Sequence, residues 1–72
     1  MKRTHEVMTA DEVRALPAVV DIDTSARVLM LGRTNAYAMA RRGDFPVPLL
    51  RFGTQYRARR VDLMELLGIS DD

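Results

Sequence analysis

A mainly α-helical domain with one small β-hairpin is the fold class this sequence predicts, and three observations predict it. Two segments with helical spacing, closed by Gly32 and Gly43, are separated by a very short turn. Two alternating four-residue runs flank Gly53-Thr54-Gln55, the pattern of a hairpin. A last run places Leu63, Leu66 and Leu67 on one helical face and stops at Gly68.

Each element has a local reason. Thr9-Ala10-Asp11-Glu12 matches a capping box, in which the Thr9 hydroxyl accepts from the Glu12 amide and the Glu12 carboxylate answers the Thr9 amide. A short helix over 10–16 follows, with Val13 and Leu16 on one side, and Pro17 ends it. Residues 17–22 form an extended connector or a short strand. Asp23 or Thr24 is the expected cap of a second helix over 25–30. Ala26, Leu29 and Met30 face its core side, and Gly32 supplies the left-handed residue past its end. The third helix spans 33–42, with Thr34 as its cap or first residue and Gly43 as its stop. Ala36, Tyr37 and Ala40 share one face of it; Thr34, Asn35, Ala38, Arg41 and Arg42 share the other. Asp44 to Pro48 make a proline-bracketed link. In the hairpin, Leu50 and Phe52 point to one side and Arg51 to the other, while Tyr56 and Ala58 oppose Arg57 and Arg59. The final helix, over 61–67, starts without a Ser, Thr, Asp or Asn cap. Residues 1–8 are expected to be a flexible tail and 9–72 a single domain.

Size and composition restrict the chemistry. A chain of 72 residues buries only about 60% of its unfolded surface and leaves little room for a deep active site. Cysteine is absent, which removes disulfides and thiolate metal sites and suits a cytoplasmic location. The longest apolar stretch, Val28 to Leu31, is far too short for a bilayer, and the first residues lead into no apolar run, so neither a membrane segment nor a signal peptide is expected. His5 is the one histidine and has no triad partner nearby in sequence. No phosphate-binding glycine loop, metal-ligand spacing or nucleophile elbow occurs. The chain is therefore expected not to be an enzyme, with no catalytic residue, cofactor or metal.

Charge is strongly segregated. Between Thr24 and Arg60 lie Arg27, Arg33, Arg41, Arg42, Arg51, Arg57, Arg59 and Arg60 against Asp44 alone, a local charge of +7. The segments before and after carry −2 and −4. Charge runs are usually plain solvated surface, but here they fall on two neighbouring elements, the footprint of a polyanion binder. All are Arg, whose flat fork of donors matches phosphates and guanine edges. Two short helices joined by a glycine turn make a helix-turn-helix, and a basic hairpin follows where a winged domain carries its wing. The predicted fold is thus a winged helix-turn-helix. Its recognition helix offers Arg33, Thr34, Asn35, Tyr37, Ala38, Arg41 and Arg42, and its wing offers Arg51, Thr54, Gln55, Arg57, Arg59 and Arg60. Asn35 either pairs an adenine edge or simply starts the helix. Tyr37 and Tyr56 are read first as core or half-buried, and Met39 as partly exposed. The few aromatics argue against single-strand binding by stacking.

Residues 22–69 resemble the excisionase-type, MerR-like winged helix-turn-helix proteins, which include phage and integrative-element excisionases and small actinobacterial regulators. The resemblance rests on Thr34-x-x-Tyr37, on Arg41-Arg42-Gly43-Asp44-Phe45-Pro46, and on Arg51-x-Gly53-x-x-Tyr56-Arg57. The chain departs from that pattern at Thr54, where such wings are commonly basic, and at Ala58-Arg59, where Val-Pro is usual. The resemblance implies that the helix from Thr34 to Arg42 enters the DNA major groove and that the Gly53 hairpin reaches the adjacent groove. It also implies a double-stranded DNA partner, a site-specific recombinase or further copies of the chain on DNA, and a nucleoid-associated role in recombination directionality. A small transcriptional regulator of the same fold is the alternative, and a protein-interaction or adaptor module is the alternative from another class.

Overall fold

Helix starts follow from what answers their first free amides. In the computed structural model, which describes residues 8–70, Thr9 and Glu12 form the complete capping box of α1 (Ala10–Arg14). The expected tail over 1–7, His5 within it, and the acidic end Asp71-Asp72 lie outside the described residues. Met8, assigned to that tail, packs against the larger core cluster. After Pro17 the chain forms β1 (Val19–Asp21), which runs directly into α2 (Ile22–Leu29), α3 (Arg33–Arg42), β2 (Leu49–Phe52), β3 (Gln55–Arg59) and α4 (Arg60–Leu67).

The architecture is mixed α+β: the described residues form four helices and a three-stranded antiparallel sheet in the order β1-β3-β2. The expected hairpin is β2–β3, closed by Gly53-Thr54, with Phe52 opposite Gln55. The turn has two residues, one fewer than the glycine-led loop read from sequence, because Gln55 belongs to the ladder. Gly53 at φ 64° supplies the positive φ that such turns require at their first central position. The connector before α2 is the third strand: Val20 lies opposite Ala58, and Asp21 opposite Arg57.

Two expectations about α2 are corrected. Its cap is Asp21, whose carboxylate accepts from the Thr24 amide at 2.8 Å, so the helix begins at Ile22 rather than Ser25. Its left-handed residue is Met30 (φ 59°, ψ 39°), not Gly32, and Met30 is exposed rather than core-facing. Gly32 is extended (φ −66°, ψ 147°) and caps α3 from the backbone, so Thr34 is not the cap. The apolar face of α4 is also shifted. Leu63 and Met64 are buried, while Leu66 and Leu67 are exposed.

The core has two clusters. Val13, Val20, Val28, Val47, Ala58, Leu63 and Met64 join α1, the sheet and α4. Ile22, Ala26, Ala36 and Ala40 form the seam between α2 and α3, with Tyr37 and Tyr56 packed against it. The alanines allow the two helix backbones to approach closely. Phe45 and Leu49 touch both clusters. The register turns Leu49 and Arg51 to the same face as Tyr56 and Ala58. Leu50 and Phe52 consequently lie on the outer face beside Arg57, and Phe52 is 59% exposed.

Candidate nucleic-acid interface

β1 pairs only with Arg57–Arg59, so Gln55 and Tyr56 of the central strand run past its end. There the hairpin overhangs α3, and a groove of about 460 Å³ opens between them. Tyr37 and Arg41 line it from α3; Thr54, Gln55, Tyr56 and Arg57 line it from the hairpin; Asp21 and Ile22 form the β1–α2 corner. Five of the residues expected from sequence to form a site (Tyr37, Arg41, Thr54, Gln55 and Arg57) are thus brought together. Asp21 and Ile22 were not expected there, and only strand pairing places them.

The arginines differ sharply in what already holds them. Arg41 and Arg27 are exposed and carry no hydrogen bond or ion pair among the described residues. Arg57 donates to the Tyr56 carbonyl at 3.2 Å and to Gln55 Oε1 at 2.6 Å, which aligns it along the hairpin. Arg51 lies on the other face of the hairpin, donating to the Gly53 carbonyl with its guanidinium 5.5 Å from the Tyr56 ring centre. It borders a second hollow of about 420 Å³ with Gly43 and Phe45, beyond Tyr56. Arg42 pairs with Asp44 through Nε at 3.0 Å. Arg33 pairs with Asp23 through Nε at 2.8 Å and sits 5.5 Å from the centre of the Tyr37 ring. The Asp23 bond and charge, with smaller help from Tyr37, raise the Arg33 pKa further.

Arg59 and Arg60 do not join this group. Arg59 is at the far end of β3 and meets Asp62 with both Nε and Nη2 (2.8 and 3.0 Å). Arg60, expected on the wing, is the first residue of α4. Its Nη1 donates to the carbonyls of Arg14 and Leu16 at 3.0 Å each, answering groups left free at the end of α1. Its Nε is buried with no protein partner. Thr34 and Asn35 are exposed on the first turn of α3, and Ala38 is half-buried on the same helix.

Among the described residues, Asp21 is the one acid lining the groove. Its pKa is lowered, first by the Thr24 backbone N–H and then by the Thr24 side chain; burial opposes this, and the Arg57 charge adds a smaller lowering effect. It stays ionised beside Arg57 and leaves Arg41 as the uncompensated charge of the groove. No group of three or more potential metal ligands occurs among the described residues, and none of their helices is long and apolar enough to cross a membrane.

Comparison of the chain with protein-family models, with curated proteins and with solved structures gives no match.

Proposed function

We propose that this protein is a small, sequence-selective double-stranded DNA binder built as a winged helix-turn-helix, with α2 and α3 as the helix pair and β2–β3 as the wing. The single observation that carries this reading is the groove where Arg41 and Arg57, one from each element, line the same surface with Tyr37, Thr54 and Gln55. Its charge and its two-element construction suit a sugar-phosphate strand passing between helix and wing. α3 has ten residues, about 15 Å of helix, enough for one pass of a major groove about 12 Å wide. The resemblance of residues 22–69 to excisionases extends the proposal to an accessory factor on the nucleoid that biases a site-specific recombinase, with transcriptional regulation as the alternative role.

Fluorescence anisotropy on a random-sequence 20-bp duplex over a salt series tests the reading. Neutralising one phosphate contact lowers the slope of log K against log salt by about 1. Arg41→Ala is expected to do so with an unchanged melting temperature, and Arg57→Ala with a slightly lowered one, since Arg57 also holds Gln55 and faces Asp21. Wild-type binding that ignores salt, or a double variant with the wild-type slope, overturns the proposal.

One observation favours a second reading as a protein-docking module. Val19, Leu50 and Phe52 are exposed on the outer sheet face, and Val61, Leu66 and Leu67 on α4. In that reading the Arg41/Arg57 double variant retains full function.

A further inference from the structure

We propose that Asp23 is a positioning residue that presets Arg33 to read a guanine, an inference that rests on the DNA-binding reading above and names one of its specificity elements. Arg33 opens α3, and its side chain is 73% exposed, so packing alone does not fix it. Two contacts do. Asp23 Oδ1 accepts from Nε at 2.8 Å, reaching across from the first turn of α2. The Tyr37 ring, one turn further along α3, lies 5.5 Å from the guanidinium carbon and attracts the cation over its π system.

The atom that Asp23 chooses matters. It takes Nε, and no carboxylate among the described residues occupies the terminal Nη1–Nη2 edge of the fork. That edge offers two parallel N–H donors, the match for guanine O6 and N7 in the major groove. Arg59 is held by its acid differently, with Asp62 taking Nε and Nη2 together, and it lies at the far end of β3, away from α3. Arg41 shows the contrast, being a charge with no orienting partner among the described residues.

General affinity does not account for Asp23. A carboxylate at the front of a helix that faces a polyanion weakens attraction to every sequence. Asp21 is the cap of α2, so Asp23 adds there only the modest attraction of a first-turn carboxylate for the helix N-terminus. Fixing a flexible arginine in advance of binding does account for it, because the ordering is then complete before contact.

The experiment is selection from a library of random 20-bp duplexes, with sequencing of the bound fraction, for the full chain and its Asp23→Asn, Arg33→Lys and Arg33→Ala variants. Bulk affinity for the unselected library and the melting temperature are measured alongside. The wild type is expected to enrich a guanine at one fixed position. Asp23→Asn is expected to melt only slightly below the wild type, by what an exposed ion pair and a first-turn carboxylate contribute, and to bind the unselected library no more weakly. Its preference for that guanine should nevertheless fall by about fivefold or more, the lower bound of what a bidentate contact contributes. Arg33→Lys, which keeps the charge and loses the fork, and Arg33→Ala should lose the same guanine. An unchanged guanine preference in Asp23→Asn overturns the inference, and so does a wild-type selection in which no guanine depends on Arg33. An Asp23→Asn variant with a lowered melting temperature and equal loss on all sequences assigns Asp23 a structural role and overturns it too. A wild type that captures no duplex at low salt fails the DNA reading itself, a result seen before any variant is compared.

Discussion

Asp21 closes β1, caps α2 and lines the groove, and its charge bears on the stability of the corner where these meet. Its carboxylate accepts the Thr24 amide and feels Arg57, so its pKa in the fold lies below its ordinary value of 3.8. A carboxyl whose pKa is depressed by folding adds stability above the unfolded value and loses it as pH falls through the folded one. Asp21→Asn separates charge from cap, because Asn is as good an N-cap as Asp. The variant should therefore melt slightly below the wild type at pH 7, and the gap should close as pH drops from about 5 through 3.8 and below. Thermal melts of both proteins across that range check this; a gap that stays constant with pH means the charge does not contribute. Arg60 shows how one residue type can serve opposite ends. Sequence gave it the same promise as Arg57, yet it opens α4 and its guanidinium is spent on the carbonyls of Arg14 and Leu16. Nothing local in Arg59-Arg60-Val61 announces carbonyls more than forty residues away, so a charge count overstates the free cations.

Three helices end in the same motif, and two of them were legible. After α3, Asp44 N–H reaches the Met39 carbonyl (2.8 Å) and Gly43 N–H that of Ala40 (3.2 Å); after α4, Ile69 reaches Met64 and Gly68 reaches Glu65 (2.9 and 3.2 Å). These are Schellman closures with glycine in the left-handed position, as glycine past a periodic run predicts. After α2 the same pair of bonds, Leu31 to Ala26 (2.8 Å) and Met30 to Arg27 (3.3 Å), puts Met30 in the glycine place. Packing decides this. Leu31 and Ala26, the outer residues of the closure, both belong to the α2–α3 seam, and burying them holds Met30 left-handed. An L-residue there costs about 1–2 kcal/mol, while a new glycine costs about 0.5–1 kcal/mol through the unfolded chain. Met30 is 53% exposed and loses little packing on removal. Met30→Gly should therefore raise stability by roughly 0.5–1 kcal/mol in urea unfolding, and a fall would mean the side chain packs more than its exposure implies. The start of α2 was hidden for a related reason. Asp21, Asp23 and Thr24 are all good caps, and only the pairing of Val20 with Ala58 fixes where strand gives way to helix. The end of α3 was legible to the residue because Gly43 is a local stop, whereas its cap was not, since Gly32 and not Thr34 holds that place. Of the candidate site, charge and spacing pointed to Arg41 and Arg57, which line one groove, but equally to Arg51, Arg59 and Arg60, which do not. The buttress at Arg33 was not legible, since Asp23 lies ten residues away on another helix.

At the scale of the molecule, stability rests on two small clusters that share Phe45 and Leu49. Leu63 is fully buried where α4 closes the larger cluster, and Phe45 and Leu49 join that cluster to the α2–α3 seam under the groove. A single core in a domain below about 70–80 residues rarely supplies more than 3–5 kcal/mol. Truncating a buried Leu to Ala removes about 2–5 kcal/mol. Leu63→Ala should accordingly bring the domain to the edge of unfolding at 25 °C, although the residue lies outside the groove. If the groove binds duplex DNA only when folded, the ligand must pull the variant back, because anything that binds the native state alone stabilises it by mass action. The expected result is a low melting temperature for Leu63→Ala in buffer, a clear rise on adding a random-sequence duplex, and loss of that rise as salt screens the arginines. Circular dichroism melts at two salt concentrations read all three. A variant as stable as the wild type would show that the cluster around Leu63 is not what holds the fold. A DNA-induced rise that ignores salt would separate binding from the arginine-lined groove.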